Sequence, residues 1–209
     1  MAPAKFDQAA CDTLASCVKE LEHATSAELV IVVRARSGHY RHADYLFGFL
    51  LAFAGLLFLL FSPVEFHPVW VAIDVALLFI LGSLLSSRST TLRRLLTTRK
   101  SRAAAARTGA AAMFYEAGIA NTEKELGVLV YLSLFERRLE LIADRGVLKA
   151  VPAEDWNERL FELHQAGRQP DIETFLTALR SLGSLLGQHL PATDENPDEL
   201  PNQPRFELK

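Results

Sequence analysis

The sequence predicts an α/β fold: a three-layer α/β/α sandwich around a small mixed sheet, interrupted by an inserted transmembrane helical hairpin. Three observations predict it. Two apolar runs, YLFGFLLAFAGLLFLLF and VWVAIDVALLFILGSLL, stand back to back between Tyr45 and Leu85, separated only by SPVEFHP. Two short stretches, Glu28 to Val33 and Val128 to Leu134, are branched and aliphatic with little polar alternation, the mark of strands covered on both faces. A third stretch, Arg138 to Asp144, follows so closely that it must return antiparallel, because a parallel return needs a crossover of about a dozen residues. Strands of this kind require helices above and below them.

The elements follow in order. Phe6, Ala10, Leu14, Cys17 or Val18, and Leu21 recur at three- and four-residue spacing, which predicts an amphipathic helix ending near Ala24. Cys11 and Cys17 fall on different faces of that helix, so no disulfide between them is expected, a pattern suited to a reducing compartment. Thr25, Ser26 and Ala27 hand over to the first strand, and a polar link with Gly38, His39 and His42 leads into the hairpin.

Each run rises about 1.5 Å per residue and reaches roughly 25 Å, so Ser62, Val64 and Ser86 are drawn in to cross a hydrocarbon core of about 30 Å. The competing reading is a pair of core helices or a re-entrant loop; the near absence of a polar stripe favours spans. From Arg88 to Arg107 stand seven basic residues and no acidic one, whereas the turn carries only Glu65 and His67. The turn therefore faces outward and both termini are expected in the cytoplasm. MAPAKFDQAACDTL lacks the apolar core and cleavage site of a signal peptide.

Beyond the basic stretch, Ala103 to Gly118 reads as an alanine-rich helix whose large contacts are Met113, Phe114 and Tyr115, with Gly118 as its stop. The second and third strands come next, joined at Phe135 to Arg137, and Arg145 with Gly146 ends the third. Two amphipathic helices at about 154–166 and 171–189 follow, separated by Gly167 and Pro170. The tail from Pro191, with four prolines, is read as an extended segment on the domain or as disorder. The expected divisions are 1–43 for the first helix and strand, 44–87 for the hairpin, 88–102 for a basic juxtamembrane segment, 103–190 for the rest of the domain, and 191–209 for an acidic tail.

Charge adds a partner. Setting aside those seven basic residues leaves 15 Lys and Arg against 25 Asp and Glu, so the rest of the chain sits near −10. Arg88, Arg93, Arg94, Arg99, Lys100 and Arg102 would lie against anionic lipid head groups, where each charge contributes on the order of 1 kcal/mol. A nucleic-acid footprint is the rival explanation; the expected partner is lipid.

Three groups of residues are candidates for chemistry. Glu125 precedes one strand and Asp144 with Arg145 ends its antiparallel partner, so they can share one sheet end, with Glu28 opening the first strand. Carboxylates there could hold a hard cation through Glu125 and Asp144, with Arg145 engaging phosphate; an exposed ion pair supporting the turn is the plainer reading. Asp74 lies six residues into the second apolar run, where a carboxylate costs roughly 2.5–3.5 kcal/mol at the centre of a span. Hydration near the outer surface or a contact between subunits would answer that cost. The six histidines form no HExxH, Gly183 to Gly187 lacks the GxSxG spacing, and there is no Walker loop or GxGxxG.

The run Glu125 to Val147, followed by Val151, Pro152 and Trp156, resembles the core of the TPM domain, a family named from a thylakoid lumen protein, a photosystem II repair protein and a receptor-accessory membrane protein. Thr25 to Val33 is similar to its first strand, and Asp198 to Asn202 to a late segment. A hairpin after the first strand resembles the bacterial membrane-anchored branch. The resemblance implies an α/β/α sandwich in a bacterial inner membrane, with phosphatase activity in some plant members, calcium binding in others, and complex repair or assembly in more. Many soluble members place Asn or Asp before the glycine that opens the second strand, where Leu126 stands here. The first expectation is thus an adaptor or assembly and quality-control module for membrane protein complexes. A membrane-anchored phosphatase is the second and an accessory subunit of a channel or transporter the third; calcium is the cofactor the resemblance implies.

Overall fold

A computed structural model describes residues 8–168, 171–193 and 204–207. The chain forms two compact units, one made of the segments up to Ser37 and from Ala103 onward, the other of Gly38–Arg102.

The first unit is built on a four-stranded mixed sheet of order β3-β2-β1-β4. Strands β1 (Glu28–Arg34) and β2 (Gly127–Ser133) run parallel in the centre, with Glu28 opposite Gly127 and Arg34 opposite Ser133. Strand β3 (Arg138–Ala143) returns antiparallel to β2, as the short connection requires, and Arg137 takes a left-handed conformation (φ 49°) to close it. The central strands are buried along both faces because consecutive residues serve different cores. Leu29, Ile31, Val33, Val128, Val130 and Leu132 point to one side, where α1 (Gln8–Ala24), α7 (Ala153–Arg168) and α8 (Ile172–His189) contribute Leu14, Leu163 and Leu179. Val30, Val32, Leu129 and Tyr131 point to the other, against Ala110, Met113 and Phe114 of α5 (Arg99–Glu116) and Ile119 of the short 3-10 turn Ile119–Asn121. An unbroken aliphatic strand is the sequence form of that two-sided burial.

Two elements depart from the expected course. Asp144 does not simply end β3: it caps a six-residue helix, α6 (Arg145–Ala150), in what reads as a glycine-containing stop. The tail contributes strand β4 (Arg205–Glu207), parallel to β1 with Phe206 opposite Val33. Its extended form was one of the two readings of the tail; its place in the sheet was not foreseen. Phe6, Pro170 and Asp198 to Asn202 lie outside the described residues.

The second unit is a helical hairpin, α2 (Arg41–Phe61) and α3 (Pro68–Arg88), followed by α4 (Thr90–Leu96). The basic stretch expected as a juxtamembrane segment is therefore helical, in α4 and the opening of α5. Helices of 21 residues rise about 32 Å, enough to cross a hydrocarbon core. They are long and apolar enough to span a membrane, and only 17% and 11% of their most apolar windows are buried. Core helices of a soluble domain would be largely buried; here Phe58 is 71% exposed, Phe61 82% and Trp70 63%. Where the two helices come closest, small residues meet, and Tyr45 of α2 stacks on Phe79 of α3 beside them. A Cβ on Gly82 would stand 2.9 Å from the Cα of Gly48, and one on Gly48 would stand 2.6 Å from the Phe79 carbonyl oxygen. Close approach through glycine is how helices gain packing contacts where burial of apolar surface gives no net drive.

Candidate functional site

The predicted strand-end residues do share one end of the sheet. Glu28 opens β1 opposite Gly127, the Asp144 amide donates to the Gly127 carbonyl (2.9 Å), and the Gly146 amide donates to the Glu125 carbonyl (3.0 Å). Their side chains divide. Asp144 accepts from the Arg145 amide at 2.7 Å as the N-cap of α6, and its buried Oδ2 has no hydrogen-bond partner among the described residues. Glu28 is buried, whereas Glu125, in a left-handed conformation (φ 54°), and Arg145 are exposed. Among the described residues no three His, Cys, Asp or Glu side chains come together in a way that could hold a metal ion.

The opposite end of the sheet, beyond the C-terminal ends of the parallel strands, holds a polar network that sequence reasoning missed. Ser37 Oγ lies 2.8 Å from Tyr131 Oη and donates to Ser133 Oγ at 2.7 Å, while the Ser37 amide donates to Glu136 Oε1 at 3.0 Å. Ser133 in turn donates to the other oxygen of Glu136. Tyr131, Ser133 and Glu136 are all buried, so each polar atom must find a partner inside the protein. Nearby, Arg34 Nε pairs with Glu207 at 2.7 Å. Burial works against the Arg34 charge, but hydrogen bonding to the Tyr131 phenol and the pull of Glu207 outweigh it and raise the guanidinium above its ordinary range. The signal in the sequence was faint: Tyr131 and Ser133 are the two polar-tipped residues of an aliphatic strand, two apart and so on one face.

In the hairpin unit the principal polar site is Asp44, in the first turn of α2. Arg93 of α4 grips its carboxylate with two parallel bonds, Nε to Oδ1 at 2.8 Å and Nη2 to Oδ2 at 2.7 Å, and Ser86 near the end of α3 donates to Oδ1 at 2.9 Å. Three helices are thereby tied at one carboxylate. The bond to Asp44, opposed by burial, raises the Arg93 guanidinium above its ordinary range. Grouped by sequence with the residues facing lipid, Arg93 engages Asp44 instead, because a buried anion demands a charged, bidentate partner. Arg102 also turns inward, donating to the carbonyls of Arg94 (2.6 Å) and Thr97 (3.1 Å). Arg88, Arg99 and Lys100 are exposed, and Arg94 is half-buried. Asp74 is half-buried in an apolar groove of about 560 Å³ along α2 and α3, with Phe58, Leu77, Leu78, Leu81 and Leu84 among its walls.

No known family model matches the chain, and no curated protein does. Among solved structures, the NMR structure of BA42 protein from the psychrophilic bacterium Bizionia argentinensis is similar, with 13% sequence identity over 99% of each chain and a TM-score of 0.58. At that identity the likeness concerns the fold alone.

Proposed function

We propose that this is an integral membrane protein with two spans in a bacterial inner membrane, both termini cytoplasmic, whose TPM-like α/β unit acts as an adaptor or assembly and quality-control module for membrane protein complexes. One observation carries the membrane reading: α2 and α3 approach most closely at glycine and serine and leave most of their large apolar side chains exposed. A protein in water would bury those side chains, and a hairpin in lipid has no reason to. Orientation rests on the basic residues that follow α3, of which Arg88, Arg99 and Lys100 are exposed where anionic head groups would meet them. The adaptor reading rests on resemblance and on the two-unit build, an α/β body whose chain is interrupted by a hairpin that would hold it at the bilayer surface.

The test is topological first. Cysteine placed at Glu65 in the turn should react with an impermeant maleimide added outside intact cells, and cysteine at Ser101 should react only after the membrane is opened. Reaction at both positions in intact cells, or extraction of the protein by alkaline carbonate, would refute the anchor. Crosslinking in native membranes then tests the adaptor: a reproducible membrane-protein partner is expected, and repeated recovery of the protein alone would count against it.

A further inference from the structure

The groove that contains Asp74 has the shape and pattern of a seat for one more helix. Asp74, Leu77, Leu78, Leu81 and Leu84 are spaced three and four apart along α3, the spacing of a helix-packing seam, and Phe58 of α2 forms the opposite wall. The strip from Asp74 to Leu84 is about 15 Å long, close to three helical turns. Asp74 lies four residues outside the midpoint of α3, about 6 Å by helical rise, and so within the hydrocarbon layer when the hairpin spans a bilayer. Among the described residues it makes no hydrogen bond or ion pair, in contrast to Asp44, whose carboxylate is gripped on both oxygens. Carboxylates at membrane depth are costly and are met by a partner or by water.

We infer that this groove docks a transmembrane helix of another membrane protein, one carrying a basic side chain at the depth of Asp74. Charge decides the occupant. A second copy of this chain in the same orientation would bring only its own Asp74 and apolar residues to that depth, because the arginines of the hairpin, Arg41 and Arg88, stand at the opposite ends of α2 and α3. An apolar helix would leave the acid unmatched. A Lys or Arg four residues outside the midpoint of a partner helix supplies the opposite charge and a donor to each carboxylate oxygen. The inference rests on the proposed membrane anchor and names the kind of partner the adaptor would hold.

The experiment uses the full chain in phosphatidylcholine vesicles and two synthetic transmembrane peptides of leucine and alanine. One carries a single Lys four residues outside its midpoint and the other Leu at that position. Energy transfer from labelled protein should show the Lys peptide binding about tenfold more tightly than the Leu peptide. The preference should vanish in Asp74→Asn and survive in Asp74→Glu. Equal binding of the two peptides, or a preference unchanged in Asp74→Asn, overturns the inference. Energy transfer between two labelled copies that Asp74→Asn abolishes also overturns it, in favour of self-association. Maleimide labelling of the Glu65 cysteine in the same vesicles separates the two levels. A correctly inserted protein that ignores the Lys peptide defeats the groove alone, and a protein that fails to insert defeats the anchor and the groove together.

Discussion

Asp44 and Arg93 are 49 positions apart and meet through two parallel hydrogen bonds of 2.8 and 2.7 Å, with side chains only 7% and 17% exposed. The carboxylate sits in the first turn of α2, where the helix dipole also favours negative charge. Removing one member strands the other in a poorly solvated place. Arg93→Ala and Asp44→Ala should each destabilise the hairpin unit by about 3–5 kcal/mol, and Ser86→Ala by about 1 kcal/mol. Reversible unfolding in detergent, run as a double-mutant cycle, measures both; losses well under 1 kcal/mol for the charge deletions would show the pair to be solvated.

The approach of Gly48 to Gly82 makes a second prediction. A methyl group on Gly48 would collide with the Phe79 carbonyl and the Ser83 hydroxyl, and the carbonyl cannot swing aside. Gly48→Ala should push the helices apart at a cost of about 1–3 kcal/mol, while Phe58→Leu, on an exposed face, should leave the pair intact. Spin-label distances between α2 and α3 would report the separation, and unchanged distances in Gly48→Ala would contradict the packing described.

At the strand end, Asp144 is a helix cap before it is anything else. Asp144→Ala should lower stability by about 1 kcal/mol, and Asp144→Asn by less, since an amide oxygen still accepts from the Arg145 amide. Calorimetric titration with calcium distinguishes a cap from a ligand. Heat that disappears in Asp144→Asn would make Oδ2 part of a cation site; identical titrations would leave it as a cap.

Cys17 is buried, and burial, the largest influence, raises its thiol above the ordinary value of 9.0 despite the opposing charge of Arg180. Because the folded protein holds this proton more tightly than the unfolded chain, stability is unaffected by Cys17 below pH 9 and falls as pH rises through the raised folded value. In a Cys11→Ser background, alkylation of Cys17 at pH 8 should proceed only at the rate of unfolding. Rapid labelling of the native protein would contradict the burial.

Local pattern accounts for what the sequence made legible. The apolar runs of α2 and α3, the aliphatic strands β1 and β2 and the tight return into β3 each declare themselves within a window of a few residues. Partners chosen at long range do not. Arg205, Phe206 and Glu207 form a strand only because the edge of β1 offers them Val32, Val33 and Arg34 to pair with. Asp74 stands out because its neighbours are apolar, whereas Asp44 stands at the polar margin of its run, where a charge is unremarkable. Ser37 and Glu136, 99 positions apart, gave no sign that they would share a hydrogen bond. Gly146 reads as a terminator, yet it occupies the first turn of α6, whose start is set by the Asp144 cap.

The central pairing of β1 with β2 imposes an order on biosynthesis. Both helices of the hairpin and α4 and α5 lie between these two strands in the chain, so β1 leaves the ribosome long before its neighbour exists. Until β2 arrives, a strand made almost wholly of Val, Leu and Ile has no register partner on that side, and neither core can close. Synthesis therefore delivers the hairpin first and the sheet second: completion of the α/β unit becomes a record that the intervening helices have already been made.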